Sequence, residues 1–325
     1  MPNTRKPRSG SMGYWPRKRA KRPQARVRSW TSMNNAQLLG FCGYKVGMTQ
    51  IFVTDNKKTS LTKGEEIPMP VTIIECPPMK IASIRFYKKT SQSQIVCSEI
   101  LAENLDKEVA RTITLPKNKD KKEDVKKFDS IRLIVYTQPK LIGIKKKPDM
   151  IEIALGGKKD DQLTYAKSML GKDININDVF KEGQQIDIHA ITKGKGFQGP
   201  VKRFGVKIRS HKSEKTKRGP GSLGGWKGHG KFMYRVAHAG QMGYHQRTEY
   251  NKWIIKIGDK VEEINPKGGF IRYGLVKNKY VLVKGSIGGH KKRLIKFINP
   301  IRKNKHIPEE APSIVSVNLS SQQGR

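Results

Sequence analysis

Residues 193–252 constrain this chain more than any other stretch. They hold 15 Lys/Arg, 2 acids and 12 glycines, and no apolar residues recur at a helical or strand period. Glycine at that density costs too much chain entropy for a helix, and the segment has too few aliphatic side chains to build a core. Sixty residues without elements of their own do not belong inside a compact domain unless an outside partner gives them shape. Strand signals stand at both ends, so the segment is expected to leave a folded body and return to it. An extended arm of about 30 residues reaches at most about 100 Å, and bends shorten that.

The charge has the same uneven distribution. The chain has 325 residues and a formal net charge of +39. Residues 1–54 carry 11 Lys/Arg and no acid, 55–192 are nearly balanced at +5, and 193–325 carry +23. A globule with this excess repels itself, and a polyanion such as RNA or DNA is the natural compensator. No run of about 18 apolar residues is present to span a membrane, and the basic stretches lack an apolar interfacial face. No apolar segment follows the basic N-terminus, so a secretory signal is not expected. Cys42, Cys76 and Cys97 are odd in number and widely spaced. They support neither a disulfide framework nor a zinc site, and a reducing cytoplasm fits them.

The first 31 residues contain ten Lys/Arg and four prolines with no hydrophobic period. Composition alone describes a tail that is disordered in the free protein. Tyr14, Trp15 and Trp30 are interleaved with the cations, however, and such rings are useful for stacking on bases. An arm that orders against RNA is the sharper expectation.

Between these basic segments lies an ordinary soluble body. "LLGFCGYKVGMTQIFVTDN", from Leu38, reads as two short strands with a turn at Gly43 and Gly47. "MPVTIIECPP", "KIASIRFYKK", "SIRLIVYTQ", "DMIEIALGG" and "GQQIDIHAITKG" read as strands, as do "KWIIKIGD", "KYVLVKGSIGG" and "KRLIKFINP" near the end. "LAENLDKEVARTI" predicts a helix, with Leu101, Leu105, Val109 and Ile113 at i,i+4 spacing. "DDQLTYAKSMLG" predicts another, closed by Gly171. Many short strands with glycine-rich turns favour a mainly β fold, a barrel with one α+β section near 95–180.

Nucleotide and metal motifs do not hold up. "GKGFQGPV", residues 194–201, has the spacing of a kinase glycine loop and of a dinucleotide turn. A dinucleotide turn must open a helix, and Pro200 and Gly205 interrupt the next stretch of chain; no other kinase element is present. Four of the seven histidines, His211, His229, His238 and His245, fall in the long segment. Only Glu214 and Glu249 are there to complete a metal site, so RNA contact or turn chemistry is the better reading. No catalytic constellation, cofactor pocket or small-molecule site stands out.

Glycine, cations and rings without acid suit a loop embedded in RNA. Glycine permits close approach to a sugar–phosphate backbone, Lys and Arg neutralise phosphate, and a stacked ring gains about 1–3 kcal/mol per base. The candidate contacts in the arm are Arg17, Lys18, Arg19, Lys21, Arg22, Arg26 and Arg28. At the base of the loop they are Lys193, Lys195, Lys202, Arg203, Lys207, Arg209, His211, Lys212, Lys217 and Arg218. Toward its tip and return they are Trp226, Lys227, His229, Lys231, Tyr234, Arg235, Gln241, Tyr244, His245 and Arg247.

"GFCGYKVGMTQIF", "DIHAITKGKGFQGPVKRFG", "GPGSLGGWKGHGKFMYRVAHAGQMGYHQRTEYNK" and "PIRK" together resemble the ribosomal protein L3 family of the large subunit. The resemblance covers almost the whole chain in order. It is to the archaeal form, given the N-terminal arm, the section near 95–180 and no long lysine-rich C-terminal tail. Lys193, Gly194, Lys195, Gly196, Phe197, Gly199 and Arg203 match the family motif at the loop's base. Gly240, Gln241, Gly243, Tyr244, His245, Arg247 and Thr248 match the returning arm, and Trp226 matches a tryptophan of archaeal and eukaryotic relatives. Tyr234 stands where eukaryotic relatives carry a second tryptophan. Lys227 stands where some carry a modified histidine, so that modification is not carried over.

The resemblance implies a translation-factor-like β-barrel with an inserted α+β domain, and an arm and central loop that penetrate 23S rRNA. It also implies an early role in assembly and a loop tip that supports the peptidyl-transferase centre, where tRNA and elongation factors engage. Partners would be 23S rRNA and neighbouring large-subunit proteins, with no cofactor, no membrane and no enzymatic activity of its own. The expected organisation is an N-terminal extension 1–36, barrel segments 37–94, 183–192 and 253–325, an insertion 95–182, and the loop 193–252. The rivals are a free-standing RNA-binding or assembly protein and an RNA-modifying enzyme.

Overall fold

The computed structural model describes residues 9–116, 128–225 and 232–321. Its strands are β1 (Gly40–Thr54), β2 (Glu66–Glu75), β3 (Met79–Lys89), β4 (Gln94–Leu101), β5 (Ser130–Thr137), β6 (Met150–Ala154) and β7 (Asp173–Ile174). Later in the chain come β8 (Gln185–Ile191), β9 (Phe197–Gln198), β10 (Gly240–Gln241), β11 (Gln246–Gly258), β12 (Tyr280–Lys284), β13 (Leu294–Ile298) and β14 (Ile314–Val317). The helices are short: α1 (Pro139–Ile142), α2 (Lys159–Met169) and α3 (Pro200–Phe204). The fold is mainly β. Two compact units divide the chain: the described residues of Met1–Arg22 with Ile191–Gln246, and those of Pro23–Ala190 with Arg247–Arg325.

In the larger unit the strand pairing returns to its start. The order β13-β8-β11-β12-β2-β1 is closed by a further antiparallel pairing of β13 with β1, from Gly40 opposite Ile298 to Tyr44 opposite Leu294. Six strands therefore form a ring, and β14 extends β1 outside it. Closure leaves none of the six with an open edge. Period two then sorts the side chains. Ile186, Ile188 and Ala190 of β8, Val281 and Val283 of β12, and Ile295 and Phe297 of β13 meet in one buried cluster. Val71 and Ile73 of β2, Trp253 and Ile255 of β11, and Tyr280 and Leu282 of β12 meet in another. β2 and β12 contribute to both clusters, so "VTII" and "YVLV" read as apolar runs, whereas β8 alternates. Each Val, Leu, Ile or Phe among these side chains contributes about 1.5–3 kcal/mol by leaving water.

The expected pair of strands after Leu38 is instead one strand of 15 residues, β1, with a register shift against β2 between Lys45 and Gly47. Gly43 makes no turn. A Cβ there would stand 2.6 Å from Ile74 Cγ2 and 2.9 Å from the Glu75 carbonyl oxygen, so glycine lets β1 and β2 approach.

A second sheet runs β4-β3-β5-β6, with β7 against β3. It draws in β3, which precedes the insertion expected at 95–182. Ile131, Leu133 and Val135 of β5 face the same cluster as Ala166 of α2. Ile134 and Tyr136 face the other way, onto Val109, Leu105, Ile113 and Leu115.

The helix expected over "LAENLDKEVARTI" is reduced to a 3-10 segment, Lys107–Arg111. Leu101 ends β4, whose residues pair with β3 from Lys89 opposite Gln94 to Ser83 opposite Leu101. The Asp106 carboxylate makes no N-terminal cap. It accepts from the Tyr136 hydroxyl at 2.9 Å and pairs with the Lys80 ammonium at 3.0 Å. The i,i+4 apolar positions do face the sheet, but as an irregular cover. In contrast, α2 forms where "DDQLTYAKSMLG" places it, with Asp160 and Asp161 favourably set in its first turn.

The arm also differs from its expectation. Ala25 and Val27 are buried while Arg26 and Arg28 are exposed, an alternation the composition hid. Trp30 packs against the larger core, and Thr31 Oγ1 donates to the Asn299 carbonyl at 3.1 Å.

His189 of β8 is buried in the same unit, with Nδ1 2.9 Å from Thr248 Oγ1. Its Nε2 has no hydrogen-bond partner among the described residues. Burial, the leading cause, holds its pKa below the ordinary 6.5; the Asp187 carboxylate opposes this and the Lys296 ammonium reinforces it. The unfolded chain therefore binds more protons than the folded one as pH falls below about 6.5. The stabilising contribution of neutral His189 is complete above that pH and is lost as pH drops through the depressed folded value. Thermal melts between pH 7.5 and 5 should show a smaller acid loss of Tm in His189→Asn than in the parent chain. Equal acid losses would exclude His189 as a source.

Candidate nucleic-acid interface

The smaller unit is assembled from the sequence's least promising segments. Within 193–252, where no element is expected, the structure places α3, the β9–β10 ladder and the start of β11 at Gln246. "GPVKRFG" carries its own punctuation. Pro200 sits in the first turn, where a missing N–H costs nothing, and Gly205 ends the helix with φ 64°, its amide bonded to the Val201 carbonyl at 2.9 Å.

Phe204 of α3 is fully buried and forms the centre of a small aromatic core. Trp15 of the arm stacks on it at 6.1 Å, and Tyr234 meets Trp15 edge-on at 5.6 Å. The Arg17 guanidinium lies 4.4 Å from the Phe204 ring centre and 5.0 Å from that of Trp15. Arg19 lies 5.3 Å from the centre of the Tyr244 ring. The interleaved rings and cations of the arm thus bind its own loop. Each such cation–π contact gains about 0.5–2 kcal/mol, depending on how dry it is.

Backbone contacts fix the same register. The Ser9 amide donates to the Phe204 carbonyl at 2.9 Å, and the Ala20 amide to the Tyr244 carbonyl at 2.8 Å. His245 Nδ1 lies 2.9 Å from the Lys18 carbonyl oxygen. A carbonyl can only accept, so His245 carries its proton on Nδ1 here. Lys195 and Met242 close the loop's base, their amides donating to Met242 and Gly196 carbonyls at 2.9 Å. Gly243, at φ 72°, is required: a Cβ there would fall 2.1 Å from the Lys193 carbonyl oxygen.

Several expected RNA contacts are therefore occupied within the protein. Arg203 donates from Nε to the Gln241 carbonyl at 3.0 Å, from Nη1 to His238 at 2.9 Å and from Nη2 to Arg17 at 3.4 Å. Burial lowers its pKa. Gln241 donates to the Gly243 carbonyl at 2.9 Å, and His245 is buried. Arg17, Tyr244 and Arg247 are half-buried. Arg209 ties its own turn, donating to the Pro220 carbonyl at 2.6 Å, while remaining exposed.

The other expected contacts face solvent. Lys18, Arg19, Lys21, Arg22, Lys193, Lys195, Lys202, Lys207, His211, Lys212, Lys217, Arg218 and Arg235 are exposed, as are Arg26 and Arg28 in the larger unit. Tyr234 is 68% exposed despite its contact with Trp15. Trp226, Lys227, His229 and Lys231 lie outside the described residues. The described part of the smaller unit holds 16 Lys/Arg and one acid, Glu214. A single carboxylate cannot neutralise that surface, which is left strongly positive. Among the described residues no three His, Cys, Asp or Glu side chains are grouped to hold a metal, and no helix is long and apolar enough to cross a membrane.

Sequence comparison places the chain among known proteins. The family model described as ribosomal protein L3 matches residues 1–324. Large ribosomal subunit protein uL3 of Archaeoglobus fulgidus is 47% identical, over 98% of this chain and 99% of that one. The uL3 proteins of Methanobrevibacter smithii and Methanocaldococcus jannaschii are 46% and 45% identical, covering at least 98% of each chain. Sharing motif, length and sequence with these archaeal proteins, the chain belongs to the ribosomal protein L3 family, structural proteins of the large ribosomal subunit rather than enzymes.

Proposed function

We propose that the chain binds 23S rRNA directly through the arm-and-loop unit, joins the large subunit early in assembly and supports the peptidyl-transferase centre with its loop tip. The observation that carries this reading is the make-up of the unit's described part: 16 Lys/Arg against one acid, arranged around a small aromatic core. Such a unit has a defined shape and a surface that only an anion can complete. Neutralising many phosphates at once gives strong, salt-sensitive binding, which a folded rRNA provides.

Co-sedimentation with large subunits in high salt tests the first part. Stable association is expected, and release as a free protein would favour a separate assembly factor. The tip is tested by Trp226→Ala and Tyr234→Ala. A lost base stack costs about 1–3 kcal/mol, and Tyr234 also gives up an edge contact with Trp15 worth about 0.5–1.5 kcal/mol. Both losses are small beside many phosphate contacts, so the variants should assemble. Small displacements near reacting groups change rates strongly, so tRNA binding or sensitivity to peptidyl-transferase inhibitors should change. Wild-type chemical probing and drug sensitivity in both variants would remove the tip from this role.

A further inference from the structure

A second acid-free stretch lies in the larger unit. Residues 264–308 contain 12 Lys/Arg and no Asp or Glu. Two loops dominate it, 265–279 before β12 and 285–293 after it. Each is held from below by a carboxylate from elsewhere in the chain. Glu75, fully buried, accepts the Lys277 amide at 3.0 Å and the Asn278 amide at 2.9 Å. Glu249 accepts the Gly288 amide at 2.8 Å and pairs with Lys252 at 2.9 Å. These acids serve the loop backbones and an existing ion pair.

Lysines then tie the loops to each other and to β1. Lys291 Nζ donates to the Ile271 carbonyl at 2.7 Å. Lys45 Nζ donates to the Ile287 and Gly289 carbonyls, and the Lys292 amide to the Lys45 carbonyl at 2.7 Å. Like charges are thereby held together: burial and the Arg272 charge both lower the Lys291 pKa. Immediately beside the Ile271–Lys291 bridge stand Arg272 and Lys292, both exposed. Both have left-handed backbones, at φ 60° and 69°. Gly or Asn would sit there with less strain. A cation at each strained position is accounted for if its side chain has an external task.

We infer that loops 265–279 and 285–293 form a second phosphate-binding surface, on which Arg272 and Lys292 contact the sugar–phosphate backbone of folded RNA. The inference rests on the reading that the chain binds rRNA, and adds a contact outside the arm-and-loop unit. Asp259, outside both loops, pairs with Lys279 at 3.1 Å. Phosphate is the matching chemistry because the two loops themselves contribute cations and backbone turns but no acid.

The test uses full-length Arg272→Asn/Lys292→Asn protein and a large-subunit rRNA transcript, with affinity measured over a salt series. Asn tolerates the left-handed region, so Tm should be unchanged or higher. The slope of log affinity against log salt should fall by about 2, since each phosphate contact contributes about 0.9. Hydroxyl-radical footprinting should show protection lost at one RNA patch, at different nucleotides from those exposed by Lys193→Gln/Lys195→Gln. Lys58→Asn/Lys63→Asn, exposed lysines between β1 and β2, serve as the charge-matched control and should reduce the slope by less than half as much. An unchanged slope and footprint, or an equal loss in the control, would each overturn the inference. Failure of the parent chain to bind the transcript would overturn the proposed function as well; binding by the parent with an unaffected double variant would overturn only the second surface.

Discussion

Phe204→Ala should release the N-terminal arm from the loop while leaving the larger unit folded. Phe204 belongs to neither large core cluster, yet in its own unit it is the fully buried ring on which Trp15 and Arg17 rest. Truncating a buried Phe costs about 3–5 kcal/mol. The unit has few other apolar contacts to absorb such a loss, so it should open locally. Hydrogen exchange gives the direct measurement. The amides of Ser9 and Ala20 donate to the Phe204 and Tyr244 carbonyls, and their protection should fall by at least two orders of magnitude. Trypsin should cut at Arg17–Arg22 early, and affinity for rRNA should fall because the arm's cations are no longer pre-arranged. Protection of Ala20 equal to that of the parent chain would show that the backbone contacts alone hold the arm.

Glu75→Ala should strongly destabilise the larger unit. The carboxylate accepts from the Tyr273 hydroxyl at 2.6 Å and the Asn278 side chain at 2.7 Å, besides the amides of Lys277 and Asn278. Removal leaves four donors facing a cavity at the end of β2. Breaking a buried charged network in this way costs about 3–5 kcal/mol. Glu75→Gln keeps one carbonyl acceptor and should fall between the parent and Glu75→Ala. Urea unfolding is the measurement; a loss under about 1 kcal/mol in Glu75→Ala would mean that water replaces the carboxylate.

Period two made much of the body readable. "GQQIDIHAITKG" announces β8 because alternating positions are apolar over the length of a strand, and "KYVLVKG" announces β12 as a short apolar run. Gly43 misleads because a strand interior needs glycine for close approach as much as a turn needs it for φ. The spacing of Leu105, Val109 and Ile113 misleads because an irregular cover can present the same residues to one sheet face. The smaller unit was legible as chemistry but not as contacts. A ring flanked by cations is suited equally to a base or to Phe204, and nothing local distinguishes Trp15 stacked on protein from Trp15 stacked on RNA. Arg203 reads as a phosphate ligand, yet its carbonyl partners at Arg17, His238 and Gln241 are supplied by distant chain. The proline and glycine around α3 were the one local signal that could have revealed the unit's centre.

The ring imposes a schedule on synthesis. Its closing seam joins Gly40 to Ile298, 258 residues later in the chain. At about 5–20 residues per second, β1 emerges roughly 13–50 s before β13 exists to cover it. During that interval a nascent chain shows an unpaired edge rich in Phe, Val and Ile directly behind a polycationic arm. The arm waits too, since Phe204 and Tyr244 are made late. Long-range pairing of this kind slows folding and lengthens exposure to wrong partners. The growing chain is thus sticky in two ways at once, toward other strands and toward any nearby nucleic acid, until nearly its last residues have been translated.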